Sequence, residues 1–442
     1  MALVNSTGAW TGAAYQSTAN FNAGKKGELD PPRYERQILR KLAEQVAEEA
    51  ALPAQKEKRE LWRRHNDLEA TRPVVLCDPE NGWNEIVTAG QLRCASALAR
   101  RWEVTLRKEL FWSRQMKDDK VIEPFFEIGM THSEDDWGLQ TRQRGGDGGA
   151  YVWEPALRDE SEIEKLHPPQ FEVDKETTAD TVALAREVFG DLLSIRQVGV
   201  WWWSLGLTLD FSLWRGLEGI MMDMIDRPPL VHRLMSLLRD GTMMKLDQLQ
   251  DRGLLSLNAE QYVGSGGFGY TSELPSGVPQ EPVRTEQMWG FCESQETVGV
   301  SPEMFAEFVF PYQLPLLKRF GLNCYGCCEP LDVRWSVIKQ TPKLRRVSVS
   351  SWADAKKMAA FLEDRYVFSW KPSPAPLAQP QLDEQVVRTV LRDVLAATRG
   401  CRLEIIMKDN HTLGNNPGNA VRWVEIAREE IARAAGATLR EI

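Results

Sequence analysis

Four short runs in the second half of the chain carry side chains able to do chemistry. They are Cys327-Cys328-Glu329-Pro330, Ser350-Ser351-Trp352, Lys371-Pro372 and Lys408-Asp409-Asn410-His411. Each closes a stretch read as a strand, over 322–327, 345–349, 366–370 and 402–408. A thiolate, a carboxylate and an imidazole at one place would suit Zn²⁺, held by Cys327, Asp409 and His411 with a fourth position open. Asp409 beside His411 could fix the imidazole tautomer. Tyr325, Glu329 or His411 could donate a proton to a leaving oxygen, and Asn323, Trp352 and Lys371 could contact substrate. Against the metal reading stands the ordinary fate of a free cysteine, which is to be a small buried hydrophobe.

These runs need elements to bring them together. Helical periodicity follows each strand, at 331–340, 353–362, 382–398 and 417–435, so the second half reads as repeated βα units around a parallel sheet. Earlier strand-like runs at 74–77, 121–128, 194–202 and 254–258 raise the number to eight. That predicts an α/β fold, a (β/α)8 TIM barrel, in which chemistry sits at the C-terminal ends of the strands. Side chains alternate along a strand, so Asn323, Tyr325 and Cys327 share one face while Cys324, Gly326 and Cys328 share the other. The first set is assigned to the site. Upstream, residues 1–32 read as a flexible tail and 33–70 as a helical extension. The barrel spans 71–442, with a loop insertion around 130–175 that holds Gly145-Gly146-Asp147-Gly148-Gly149.

Composition narrows the partners. Among 442 residues, 54 Lys and Arg face 63 Asp and Glu, a net charge of −9 with no basic tract, which argues against nucleic acid. The most apolar stretch, 198–213, is broken by Ser204, Asp210 and Ser212, so no membrane span is expected. The start of the chain lacks the basic and apolar regions of a secretory signal. Seven Cys, three of them within Cys324–Cys328, make a poor disulfide framework and point to a reducing cytoplasm. Gly264-Ser265-Gly266-Gly267-Phe268-Gly269 matches G-x-G-x-x-G, but Pro275, Gly277, Pro279 and Pro282 forbid the helix that a pyrophosphate needs. That run is expected to be a mobile loop above the rim. Trp201-Trp202-Trp203 and the Met221–Met224 run read as core, and His132 could line the rim.

Two further segments carry a resemblance. Trp214-Arg215-Gly216-Leu217-Glu218 through Asp226-Arg227-Pro228, and Val300-Ser301-Pro302-Glu303-Met304-Phe305 with Phe310-Pro311, resemble the uroporphyrinogen decarboxylase superfamily. Residues 417–430 are similar to its last helix, and the likeness runs in order over roughly 182–435. It implies the (β/α)8 barrel and two activities: decarboxylation without a cofactor, or methyl transfer in corrinoid systems using Zn²⁺. This sequence looks like a divergent Tyr-Gly-Cys-Cys-Glu-Pro-Leu subgroup of the methyltransferase branch. The positions of that branch's metal ligands fall at Asn323, Tyr325 and Asp409.

The resemblance thus implies a methyltransferase component of the O-demethylase type, acting on a small methylated substrate. No Asp-x-His-x-x-Gly corrinoid signature occurs, so the corrinoid would ride on a separate corrinoid protein docked over the rim. A homodimer is one open arrangement. The alternative is a cofactor-independent decarboxylase or lyase of an acidic small molecule, held by Arg142, Arg144 or Lys371. A catalytically silent ligand-binding barrel is the third reading.

Overall fold

The computed structural model describes residues 18–436 apart from 136, 140, 141, 146–150, 158, 159, 202 and 203. Its strands are short apolar runs that alternate with helices. We label the parallel ones β1 (Val74–Cys77), β2 (Phe125–Gly129), β3 (Ser194–Val198), β4 (Trp289–Cys292), β5 (Leu322–Tyr325), β6 (Leu344–Val349), β7 (Val367–Trp370) and β8 (Arg402–Met407). Six of them form one sheet in the order β1-β8-β7-β6-β5-β4, and β2 pairs with β3. Every one of these ladders is parallel. Among the described residues no ladder joins the two groups. Side chains cover the free edge of β1 instead: Val75 N–H donates to Asp119 Oδ2 and Cys77 N–H to Asp118 Oδ2, each at 2.8 Å. Carboxylates thus satisfy an edge that would otherwise expose unpaired donors.

One expected strand moves. Residues 254–258 make only an isolated bridge, Val200 to Leu255. The chain then turns at Asn258, whose Nδ2 donates to the carbonyls of Trp201 and Trp289 at 3.2 and 3.0 Å. The strand in that part of the chain is β4, which is buried along its whole length. Its four residues, Trp289 to Cys292, include Gly290 and no β-branched residue, so composition does not mark them as a strand.

Both faces of the sheet are buried. Outward-facing Tyr325, Val347, Val349, Phe368, Trp370, Ile405 and Met407 belong to the core shared with the helices. On the inner face, Val74, Leu76 and Ile406 pack with Trp62, Phe268 and Tyr270. Trp289, Phe291, Leu322 and Cys324 pack with Val263 and Leu274. The segment around 262–270 therefore fills the inside of the sheet as a plug. This corrects the expectation of a mobile loop above the rim.

A buried loop must have its backbone groups satisfied, and here polar and charged side chains do so. Arg346 donates to the carbonyls of Gly267 and Phe268 at 3.2 and 2.8 Å, and Asn66 Nδ2 reaches those of Phe268 and Tyr270 at 2.8 Å. Gly267 N–H donates to Glu404 Oε1 at 3.2 Å. The fit also requires glycine: a Cβ on Gly267 would lie 2.1 Å from the Trp62 ring, and one on Gly266 would lie 2.7 Å from Arg346 Cδ.

The helices Arg33–Ala50 and Pro53–Asn66 precede β1, and the second carries Trp62, His65 and Asn66 to the plug. Further upstream, Asn22 is buried and donates to the Glu127 carbonyl at 3.1 Å. Between β2 and β3, His132–Glu134 pairs with Phe171–Val173 and Arg142–Gly145 with Tyr151–Glu154, all antiparallel. Residues 146–149 of the glycine-rich centre lie outside the described residues, as do Trp202 and Trp203 and the side chains of Arg142 and Arg144. His132 stacks on Phe171 with ring centroids 4.5 Å apart, within that insertion. No described helix is long and apolar enough to cross a membrane.

Candidate active site

The site forms where β1, β4, β5, β7 and β8 end. β5 stops at Gly326, whose φ of 102° only glycine adopts without strain, and whose Cβ would strike Leu331 at 2.6 Å. The chain then reverses through Cys327-Cys328-Glu329. Glu329 is buried and pins this turn, accepting from Cys327 N–H and from Ser294 N–H, each at 2.9 Å. The two thiols are left side by side, Sγ to Sγ 3.6 Å, with Cys328 exposed and Cys327 half-buried.

β8 ends in a similar reversal. Asp409 sits at φ 61°, a left-handed conformation that turns its carboxylate so that Oδ2 lies 4.0 Å from Cys328 Sγ. Its own N–H donates to Glu80 Oε2 at 2.9 Å, which ties the end of β8 to the turn after β1. Lys371, at the end of β7, is buried and donates to Ser265 Oγ of the plug at 2.6 Å. Ser265 in turn donates to the Gly326 carbonyl at 3.2 Å. Cys328, Lys371, Asp409 and Glu80 thus share one mouth.

The electrostatics divide the labour between the thiols. The hydrogen bond between them pushes Cys327 up, with burial adding, and draws Cys328 below the usual thiol range against the effect of burial. The nearby Lys371 ammonium also favours the Cys328 thiolate. Burial works against the charge on Lys371, but Cys327, Cys328, Asp409 and Glu329 outweigh it and hold the amine protonated. Burial raises Glu80 to about 8, reinforced by Asp78 and Asp409 and opposed by Lys408, whose Nζ is 4.0 Å away. Glu293 is likewise pushed well up by burial and by Glu296 and Glu329, with Ser204 Oγ donating to its Oε1 at 2.9 Å. The mouth therefore holds protonated carboxyls beside a thiol pair.

Several of the expected site residues lie elsewhere. Tyr325 is on the outer face, buried, its hydroxyl donating to Gln313 Oε1 at 2.7 Å. Asn323 is buried on the same side, donating to the carbonyls of Leu317 and Pro342 at 3.0 and 2.7 Å. The face chosen for the site was the helix-facing one; the turn at Gly326 then brings both cysteines to the mouth regardless of parity. Trp352 is 81% exposed after β6, and His411 is exposed two residues beyond Asp409. Glu80, Glu293, Ser265, Cys328 and Lys408 are site residues that the sequence reading passed over. The signal available for Glu80 is its place after the strand at 74–77; Glu293 follows β4, which the sequence does not mark as a strand.

The zinc reading does not fit this arrangement. Among the described residues no three His, Cys, Asp or Glu side chains come together to hold a metal ion, so Cys327, Asp409 and His411 form no such triad. Asn323 and Tyr325 are engaged on the outer face, and the Lys371 ammonium supplies positive charge beside the thiols.

No family model matches the chain, and no curated protein matches it. Among solved structures, a methyltransferase from Methanosarcina mazei is similar, with a TM-score of 0.45 and 12% identity, over 84% of this chain and 97% of that chain. At that distance the likeness does not bear on chemistry.

Proposed function

We propose that this chain is a methyltransferase of the O-demethylase type, working at the mouth of a (β/α)8 barrel. It takes a methyl group from a small, uncharged methyl ether and passes it to a corrinoid carried on a separate protein. The observation that supports this reading is the charge at the mouth. Its two lysines, Lys371 and Lys408, both face acidic partners, while Glu80 and Glu293 stand protonated. Lys371 is tied to Ser265 and the thiols, and Lys408 faces Glu80. The carboxylates of a decarboxylase substrate would have to displace those acidic partners to reach a lysine; a neutral ether would not.

When the methyl carbon leaves, the ether oxygen keeps the bonding electron pair and needs a proton. Glu80 is a buried carboxyl still protonated at neutral pH, and its contact with Asp409 N–H holds it at the mouth. It is the general acid of this reading. A bound corrinoid would supply the nucleophile that accepts the methyl group. Methyl-transfer assays with cob(I)alamin and a panel of methoxylated aromatics test the proposal. Methylated corrinoid formed by wild type and lost in Glu80→Gln supports it. No transfer across the panel, with carbon dioxide released from an acidic substrate instead, overturns it.

A further inference from the structure

The methyl-transfer reading leaves the paired thiols without a task. Cys327 and Cys328 are adjacent in sequence, and their sulfurs lie 3.6 Å apart at an open mouth. Two sulfurs bonded to one centre at about 2.3 Å sit roughly 3.3 to 3.8 Å apart for angles between square and tetrahedral. The pair is therefore already set to the bite of a single soft atom. We propose that Cys327 and Cys328 form a chelating site for a trivalent organoarsenical or similar trivalent metalloid, an activity separate from methyl transfer.

The number of ligands selects the class. A zinc ion needs three or four protein ligands, and among the described residues no third completes such a group with the pair. A monosubstituted trivalent arsenical brings its own carbon substituent, so two thiols complete its pyramidal coordination. Charge selects in the same direction. Two thiolates holding a divalent cation would put that cation beside the buried Lys371 ammonium. An organoarsine oxide is uncharged and brings no cation beside that ammonium. The reaction is balanced and needs no oxidant: R–As=O and two S–H groups give R–As(S)2 and one water. Both S–H bonds break, two As–S bonds form, and the arsenic oxygen leaves with both protons. Cys328 attacks first as the more acidic thiol, and Cys327 closes the ring.

The other cysteines offer no competing pair at the mouth. Cys77, Cys94, Cys292 and Cys324 are buried, and Cys401 is half-buried after the last helix-to-strand turn. Phenylarsine oxide added to the full chain, reduced beforehand with a phosphine, is the probe, read by intact mass and by counting reactive thiols. The expected result is one adduct per chain with two thiols lost. It should reverse with 2,3-dimercaptopropanol and resist an equal thiol concentration of 2-mercaptoethanol. Cys327→Ser and Cys328→Ser should each weaken binding by about 100-fold or more, since one As–S bond lacks the effective concentration of the second. Equal reversal by the monothiol, an adduct retained in the double serine variant, or displacement by stoichiometric zinc would overturn the proposal. The reversal experiment uses wild type alone, so it decides the question even where a variant does not fold.

Discussion

Lys371 Nζ donates to Ser265 Oγ at 2.6 Å, and this contact joins the buried plug to the reactive mouth above it. Ser265 is buried between Gly264 and Gly266, at whose positions a Cβ would strike Phe291 and Arg346. The ammonium is therefore held under the thiol pair by the same segment that fills the sheet. Replacing Lys371 with Met should raise the pH at which Cys328 becomes reactive. A rise of one pKa unit slows iodoacetamide alkylation at neutral pH about tenfold. Ser265→Ala should shift the profile in the same direction by less, because the charge remains. An alkylation profile unchanged in Lys371→Met would remove the lysine from this role.

Glu80 gives a second test, through pH. Its folded value of about 8 lies above the ordinary 4.5, so the folded state holds a proton that the unfolded chain releases. Stability from this group is complete below the unfolded value and is lost as the pH rises through the folded one. Thermal melts of wild type should fall between about pH 5 and 9, and Glu80→Gln should flatten that fall. In the methyl-transfer assay the same variant should lose roughly 10²- to 10⁴-fold in rate, the usual worth of a general acid. A rate that stays level above pH 8 in wild type would show that another group donates the proton.

The strand order and the late βα units were readable because β6, β7 and β8 each carry apolar runs closed by polar residues. Which face of those strands looks inward was not readable. A parallel strand buried on both sides is apolar on both, so alternation in β5 gave no preference between the Tyr325 face and the Cys324 face. The plug was hidden for a related reason. Glycine and proline content marks irregular backbone but says nothing of its burial, which here depends on Arg346, Asn66 and Glu404, distant in sequence. The rim residues Cys327, Lys371 and Asp409 were found from position alone, as groups that follow strand ends. The same rule applied to β1 leads to Glu80, while Glu293 stays hidden because β4 is not legible as a strand.

The plug should be sensitive to a single methyl group. A Cβ at Gly267 would sit 2.1 Å from Trp62, which is fully buried and donates its indole N–H to the Asp119 carbonyl at 2.8 Å. Neither side can yield without breaking that bond or the Arg346 contacts. Gly267→Ala should therefore destabilise the fold by about 1–3 kcal/mol, the usual cost of overpacking. Gly90→Ala is the control, since nothing lies within 4 Å of its Cβ. Denaturant melts of the two variants should separate clearly; equal midpoints would mean that the segment is not held inside.

Beneath the plug, Glu404 and Arg346 face each other across the inner side of β8 and β6, Nε to Oε1 3.1 Å, with both side chains fully buried. His65 Nε2 lies 3.4 Å from the other carboxylate oxygen. Burial alone would raise the Glu404 carboxyl, but Arg346 and His65 hold it down at about 2. A depressed carboxyl stabilises the fold above its unfolded value and loses that contribution as the pH falls through the folded value. Acid should therefore loosen the plug between about pH 4.5 and 2. Arg346→Met leaves the carboxylate buried without its partner and should cost about 3–5 kcal/mol. Pairing it with Glu404→Gln removes the uncompensated charge, so the double variant should be more stable than Arg346→Met alone. A double variant that is less stable than the single one would show that Gly267 N–H and His65 compensate the carboxylate even without Arg346.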